Sequence, residues 1–137
     1  MLRSIIAFVL LFTVTNSFAN HKSLPQEKIL TVVVDSRGFN VMGRDTLMND
    51  KLESEIKERL WKSYLGTGKM YDRIDLQTHG DVAPSVKEAA IDAIKKGQEK
   101  ALAEYCVLKH KNSYDKLSAK DQAKIRQHYP VLFQQFN

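Results

Sequence analysis

At 137 residues the chain is the size of one domain, and its 43% hydrophobic content allows a single packed core without a metal or disulfide staple. A single cysteine, Cys106, excludes an intramolecular disulfide. The formal net charge is +5, or +4 if Arg3 leaves with the leader described below. It is spread out: Lys57, Arg59, Lys62, Lys95, Lys96 and Lys100 interleave with acids along helical stretches instead of massing on one face, so no nucleic-acid partner is expected.

Met1 to Arg3 give a short positive head, Ile5 to Val14 a mostly apolar run, and Ser17 and Ala19 are small residues three and one before a cut after Ala19. Residues 1–19 therefore read as a cleaved signal peptide, placing the mature protein in the periplasm or cell envelope. The competing reading is an uncleaved anchor. A spanning helix needs about 20 predominantly apolar residues, and Thr13, Thr15, Asn16 and Ser17 interrupt this run. Residues 20–28, with Pro25, read as a polar lead-in.

Ile29–Asp35 is a continuous β-branched run, the pattern of a strand buried on both faces, and Ser36, Arg37 and Gly38 supply a turn from which Phe39–Val41 folds back as a hairpin. After a second turn at Gly43–Asp45, Asn49 or Asp50 is placed to cap a helix, with Glu53 as the reciprocal partner. Leu52, Ile56, Leu60 and Leu65 form its apolar stripe, flanked by Trp61 and Tyr64. Glu53–Lys57, Glu55–Arg59 and Glu58–Lys62 are spaced for ion pairs on the other face. Gly66 and Gly68 end the helix.

Arg73–Thr78 alternates with period two, a half-buried third strand. Residues 79–84 form a loop, and Pro84 suits the first turn of a second helix. Val86, Ala90, Ala93, Ile94, Gly97, Ala101, Leu102 and Tyr105 continue one stripe. Gly97 costs about 1 kcal/mol relative to alanine inside a helix, which leaves open a break there and a strand over Ala101 to Lys109; the unbroken stripe favours one long helix. Ser118 caps a last helix from Ala119 to about His128, and Pro130 bars its continuation. The expected fold class is α+β: a small sheet of about three strands packed against two longer helices, with a short C-terminal helix.

His79, Asp81 and Asp75 carry the residue types of a metal or acid–base site, but not an established ligand spacing. A His-Gly-Asp loop before Pro84 is ordinary turn chemistry, with Asp81 near the positive end of the next helix. His110 and His128 fall on different elements. Cys106 lies next to an apolar stripe and reads as a small buried hydrophobe. Trp61 and Tyr64 read as core, and Arg44, Lys95 and Lys96 as wet surface. No catalytic residue, cofactor or metal is expected; the alternatives are a secreted adaptor or a small envelope hydrolase using His79 and Asp81.

The order strand, Asp35-Ser-Arg-Gly38 turn, strand, helix, Arg73-Ile-Asp-Leu-Gln-Thr78 strand, then a loop with Asp81-Val82 before a helix, resembles the periplasmic domain of the ExbD/TolR family of biopolymer-transport and Tol-Pal motor proteins. Tyr114-Asp-Lys-Leu117-Ser118, the charged helix after it and Tyr129-Pro130 are similar to the tails of some ExbD-like proteins, so the resemblance runs over about residues 29–133. The family's membrane helix carries an aspartate for ion translocation, whereas this chain has no acid before Glu27. The resemblance therefore implies only the extracytoplasmic half of the motor's work. That half is done by a homodimer that engages ExbB-, TonB- or Tol-like envelope proteins and, in some members, the cell wall.

With about three strands the sheet must have open borders, and an unpaired row of N–H and C=O groups accepts a strand from a twin subunit or a partner peptide. The residues placed at such a partner-binding site are Asp35, Arg37, Gly38, Thr78, His79 and Asp81.

Overall fold

The computed structural model describes residues 24–43 and 49–137. The expected signal peptide at 1–19, the lead-in before residue 24, Arg44 and the side chains of Asn49 and Asp50 lie outside the described residues. The elements follow the order β1 (Ile29–Asp35), β2 (Gly38–Val41), α1 (Asn49–Thr67), β3 (Arg73–Thr78), α2 (Pro84–His110) and α3 (Ala119–His128), with 3₁₀ turns at Tyr114–Lys116 and Pro130–Phe133. The α+β class read from the sequence is the class observed.

β1 is the central strand. It pairs antiparallel with β2, from Asp35 opposite Gly38 to Val32 opposite Val41, and parallel with β3, from Ile29 opposite Arg73 to Val34 opposite Thr78. The expectation that β1 is buried on both faces is corrected. Leu30, Val32 and Val34 are fully buried, while Ile29, Thr31, Val33 and Asp35 are only half-buried and stand outside the core cluster. A single helical layer on one face makes an all-β-branched run behave as an alternating strand.

The core joins that face to Phe39, Val41 and Ile74 of the neighbouring strands, to Leu52, Ile56, Leu60 and Tyr64 of α1, and to Ala90, Ala93, Ile94 and Ala101 of α2. Leu65, placed on the α1 stripe from the sequence, is instead 61% exposed, because the stripe turns off the core in the last helical turn. Trp61 and Tyr64 both pack on the core, their rings stacked 5.4 Å apart.

α2 is one helix of 27 residues through Gly97. The break considered at Gly97 does not occur. A Cβ at that position would lie 2.8 Å from the Glu53 carbonyl oxygen and from Cβ and Cγ2 of Ile56, so the glycine lets two helices approach instead of ending one. Glu53 pairs with Lys100 and Lys57 with Glu104. Both bridges cross from α1 to α2, in place of the i,i+4 pair between Glu53 and Lys57 that their spacing suggests. Glu55–Arg59 (2.7 Å) and Glu58–Lys62 (3.2 Å) do form within α1.

The C-terminal quarter returns over α2. Ser118 caps α3, its hydroxyl accepting from the Asp121 N–H at 3.2 Å. Pro130 stops α3 and opens the second 3₁₀ turn, which buries Val131 and Leu132. Cys106 is buried, and burial pushes its thiol pKa up. No helix among the described residues is long and apolar enough to cross a membrane.

Candidate functional site

The six residues singled out in the sequence meet at one end of the sheet. The β1–β2 turn and the exit of β3 are neighbours because β1 pairs with both: Val34 lies opposite Thr78, and the His79 N–H donates to the Val34 carbonyl at 2.8 Å. Asp35 organises the turn by accepting from the backbone N–H groups of Arg37 at 2.7 Å and Gly38 at 3.2 Å. The Arg37 guanidinium lies 3.2 Å from its other oxygen. The Arg37 backbone donor, reinforced by that guanidinium, holds the Asp35 carboxyl below the usual carboxylate range. Gly38 has φ +142°, a conformation only glycine adopts freely.

At the end of β3 and just beyond it, Thr78, His79 and Asp81 are exposed. No hydrogen bond joins His79 to Asp81, and no group of three or more His, Cys, Asp or Glu side chains suited to a metal occurs among the described residues. The corner therefore offers backbone edges, a hydroxyl, an imidazole and one pre-organised Asp35–Arg37 pair.

The borders differ. In the antiparallel pair the Met42 N–H donates to Thr31 at 3.0 Å. By the two-residue repeat of the ladder, Asn40 and Gly38 also face β1, while Phe39 and Val41 direct their N–H and C=O groups outward. In the parallel pair the same repeat, counted back from His79, turns Ile74, Leu76 and Thr78 outward. The Ile74 position is already taken. Its N–H donates to Gln134 Oε1 at 2.8 Å, and Gln134 Nε2 donates to its carbonyl at 2.8 Å. The side-chain amide of the C-terminal tail thus occupies part of the border that the sequence reading left open. No spacing rule connects residues so distant in the chain.

Other polar groups are structural ties. The lead-in is fastened by Lys28, whose ammonium reaches Ser63 Oγ at 2.8 Å and lies over the Tyr71 ring at 4.8 Å. Ser63 in turn donates to the Lys69 carbonyl at 2.7 Å, so its hydroxyl proton is engaged. His110 and His128, separate in the sequence, line one shallow pocket with Tyr105, Asp121, Lys124 and Tyr129.

Compared with known protein families, curated proteins and solved structures, the chain has no match.

Proposed function

We propose that the chain is an exported ExbD/TolR-like binding domain, an accessory or diverged component of a TonB/Tol-type energy-transduction and transport system, working in the periplasm or cell envelope. It binds and does not catalyse. Its partners are ExbB-, TonB- or Tol-like proteins, engaged by extension of the sheet and by the exposed corner beside it.

The observation that carries this reading is the strand order β2-β1-β3, which makes β2 a border whose outward backbone groups at Phe39 and Val41 meet no hydrogen-bond partner among the described residues. Arg37 and Met42, both exposed, flank that border. The hydrolase alternative gains no support from His79 and Asp81, which are exposed and unjoined.

The test is site-specific photocrosslinking in intact cells, followed by extraction of the envelope. A photoreactive residue replacing Arg37 or Met42 in the full chain is expected to trap an ExbB-, TonB- or Tol-like protein, and the same residue replacing Lys120 on α3 to trap none. Recovery of the chain from the envelope as a lone monomer without adducts at either β2 position would overturn the proposal.

A further inference from the structure

Among the described residues five large apolar side chains are exposed, and three of them, Leu65, Val107 and Leu108, gather where α1 and α2 end side by side. The helices run parallel, since Glu53 pairs with Lys100 and Lys57 with Glu104, each step along α1 being matched by a step along α2. Trp61 therefore shares with Ala103, Val107 and Leu108 one shallow, open groove of about 480 Å³. Leu65, four residues after Trp61, continues the same face of α1.

The charge around this groove is one-sided. Its acid, Glu104, is bridged by Lys57, and Glu58 on the α1 side is held by Lys62 at 3.2 Å. Lys111 lines the groove, and Lys109 stands over the Tyr64 ring at 5.8 Å, with that ring stacked on Trp61. Neither of these two lysines takes part in a salt bridge among the described residues. The result is an apolar centre with two uncompensated cations at one end.

Four apolar side chains, one of them partly packed on the core, fall short of the about 800 Å² that each side of a stable protein interface contributes. A bilayer asks for less. It needs a few apolar side chains at the headgroup boundary, an aromatic ring suited to that depth, and lysines whose stems follow apolar surface while their ammonium groups stay with the phosphates.

We propose that the paired ends of α1 and α2 dock the protein on an anionic lipid surface, with Trp61, Leu65, Val107 and Leu108 entering the headgroup boundary and Lys109 and Lys111 meeting lipid phosphates. This surface is distinct from β2 and the corner beside it, which stay available to a protein partner.

Trp61 is the chain's one tryptophan, so its fluorescence reads this patch alone. The full chain is titrated with vesicles of equal parts phosphatidylglycerol and phosphatidylcholine carrying brominated acyl chains, which quench tryptophan on contact. Trp61 is expected to be quenched. Partitioning should be at least ten-fold weaker on phosphatidylcholine alone, and likewise in about 1 M salt, where screening cuts the reach of a charge to about 3 Å. Lys109→Gln with Lys111→Gln should lower it at least ten-fold, each lysine near an anionic surface contributing about five-fold. Lys120→Gln with Lys124→Gln removes the same charge from α3 and should leave it near the parent value. Val107→Glu, at an exposed position, should abolish quenching with helical content retained. Vesicle binding with Trp61 unquenched overturns the proposal, because another segment, such as the apolar run Ile5 to Val14, would then carry the attachment; absence of binding overturns it too. Equal quenching on phosphatidylcholine, or quenching unaltered by the Lys109 and Lys111 changes, overturns the anionic surface. Association between copies that Val107→Glu dissolves would give the patch to a second copy and overturn the lipid assignment. None of these outcomes bears on photocrosslinking at Arg37 and Met42, so the two readings fail separately.

Discussion

α2 carries two seams built on different principles. Toward α1 it presents Gly97, a backbone close enough to the Glu53 carbonyl that no side chain fits, with the Lys100–Glu53 and Lys57–Glu104 bridges following it along α2. Toward the C-terminal tail it presents Gln98, a buried amide whose role is to donate to a carbonyl of the 3₁₀ turn. The first seam depends on steric fit and cannot open without losing contacts along both helices. The second combines the burial of Val131 and Leu132 with side-chain hydrogen bonds from Gln98 and Gln134, and it covers a shorter stretch of chain. The shorter tail seam is expected to open before the helix seam.

The comparison breaks most visibly at Gly97. Alanine there would place Cβ 2.8 Å from a backbone oxygen and from Ile56. Overpacking of this kind costs about 1–3 kcal/mol, typically more where backbone must move, and the better helix propensity of alanine returns about 1 kcal/mol. Gly97→Ala is expected to lower stability in urea by about 2 kcal/mol and to speed amide exchange in β1, α1 and α2 together. A neutral or stabilising outcome would mean that the helices are not in contact at this point.

Gln98→Ala should act on the other seam alone. It leaves the Val131 carbonyl buried without its donor, at a cost of about 1–2 kcal/mol. The loss should be local: exchange at Leu132, whose N–H donates to Tyr129 at 3.1 Å, is expected to accelerate while Val32 and Val34 keep their protection. Uniform acceleration across the sheet would show that the two seams open as one.

The sequence made the elements legible because each rests on local chemistry: the Asp35–Gly38 turn, Ser118 as a cap, Pro84 at a helix start and Pro130 at a helix end. Periodicity also placed Trp61, Tyr64 and Cys106 against the core. What could not be read is what crosses between elements. Glu53 and Lys57 have ideal spacing for each other, yet each finds a stronger claim on α2, and spacing along one helix contains no information about a second. Gly97 looks like a weakness until the carbonyl facing it is known. The candidate corner was legible as two turns; that β1 joins them depends on the parallel pairing with β3. Gln98 and Gln134 carry no pattern, since a glutamine that completes a backbone ladder has the same surroundings in sequence as one on a wet surface.

Tyr105 stands where the seams meet, its ring 5.4 Å from Tyr64 of α1 and 5.0 Å from Tyr129 ahead of the tail. Burial, together with the neighbouring Tyr129, pushes the Tyr105 hydroxyl up to about 12. An unfolded tyrosine titrates near 10. Below about pH 10 both states hold the proton and the contribution to stability is fully present. Between about pH 10 and 12 the unfolded chain releases the proton first, so the contribution is lost as the pH rises. Tyr105→Phe keeps the ring packing and removes the titration. At neutral pH its stability should stay close to that of the parent, and its melting temperature should fall less steeply than that of the parent between about pH 9 and 11. Parallel slopes for the two proteins would place the Tyr105 hydroxyl in water, because burial is the main reason the folded phenol resists ionisation.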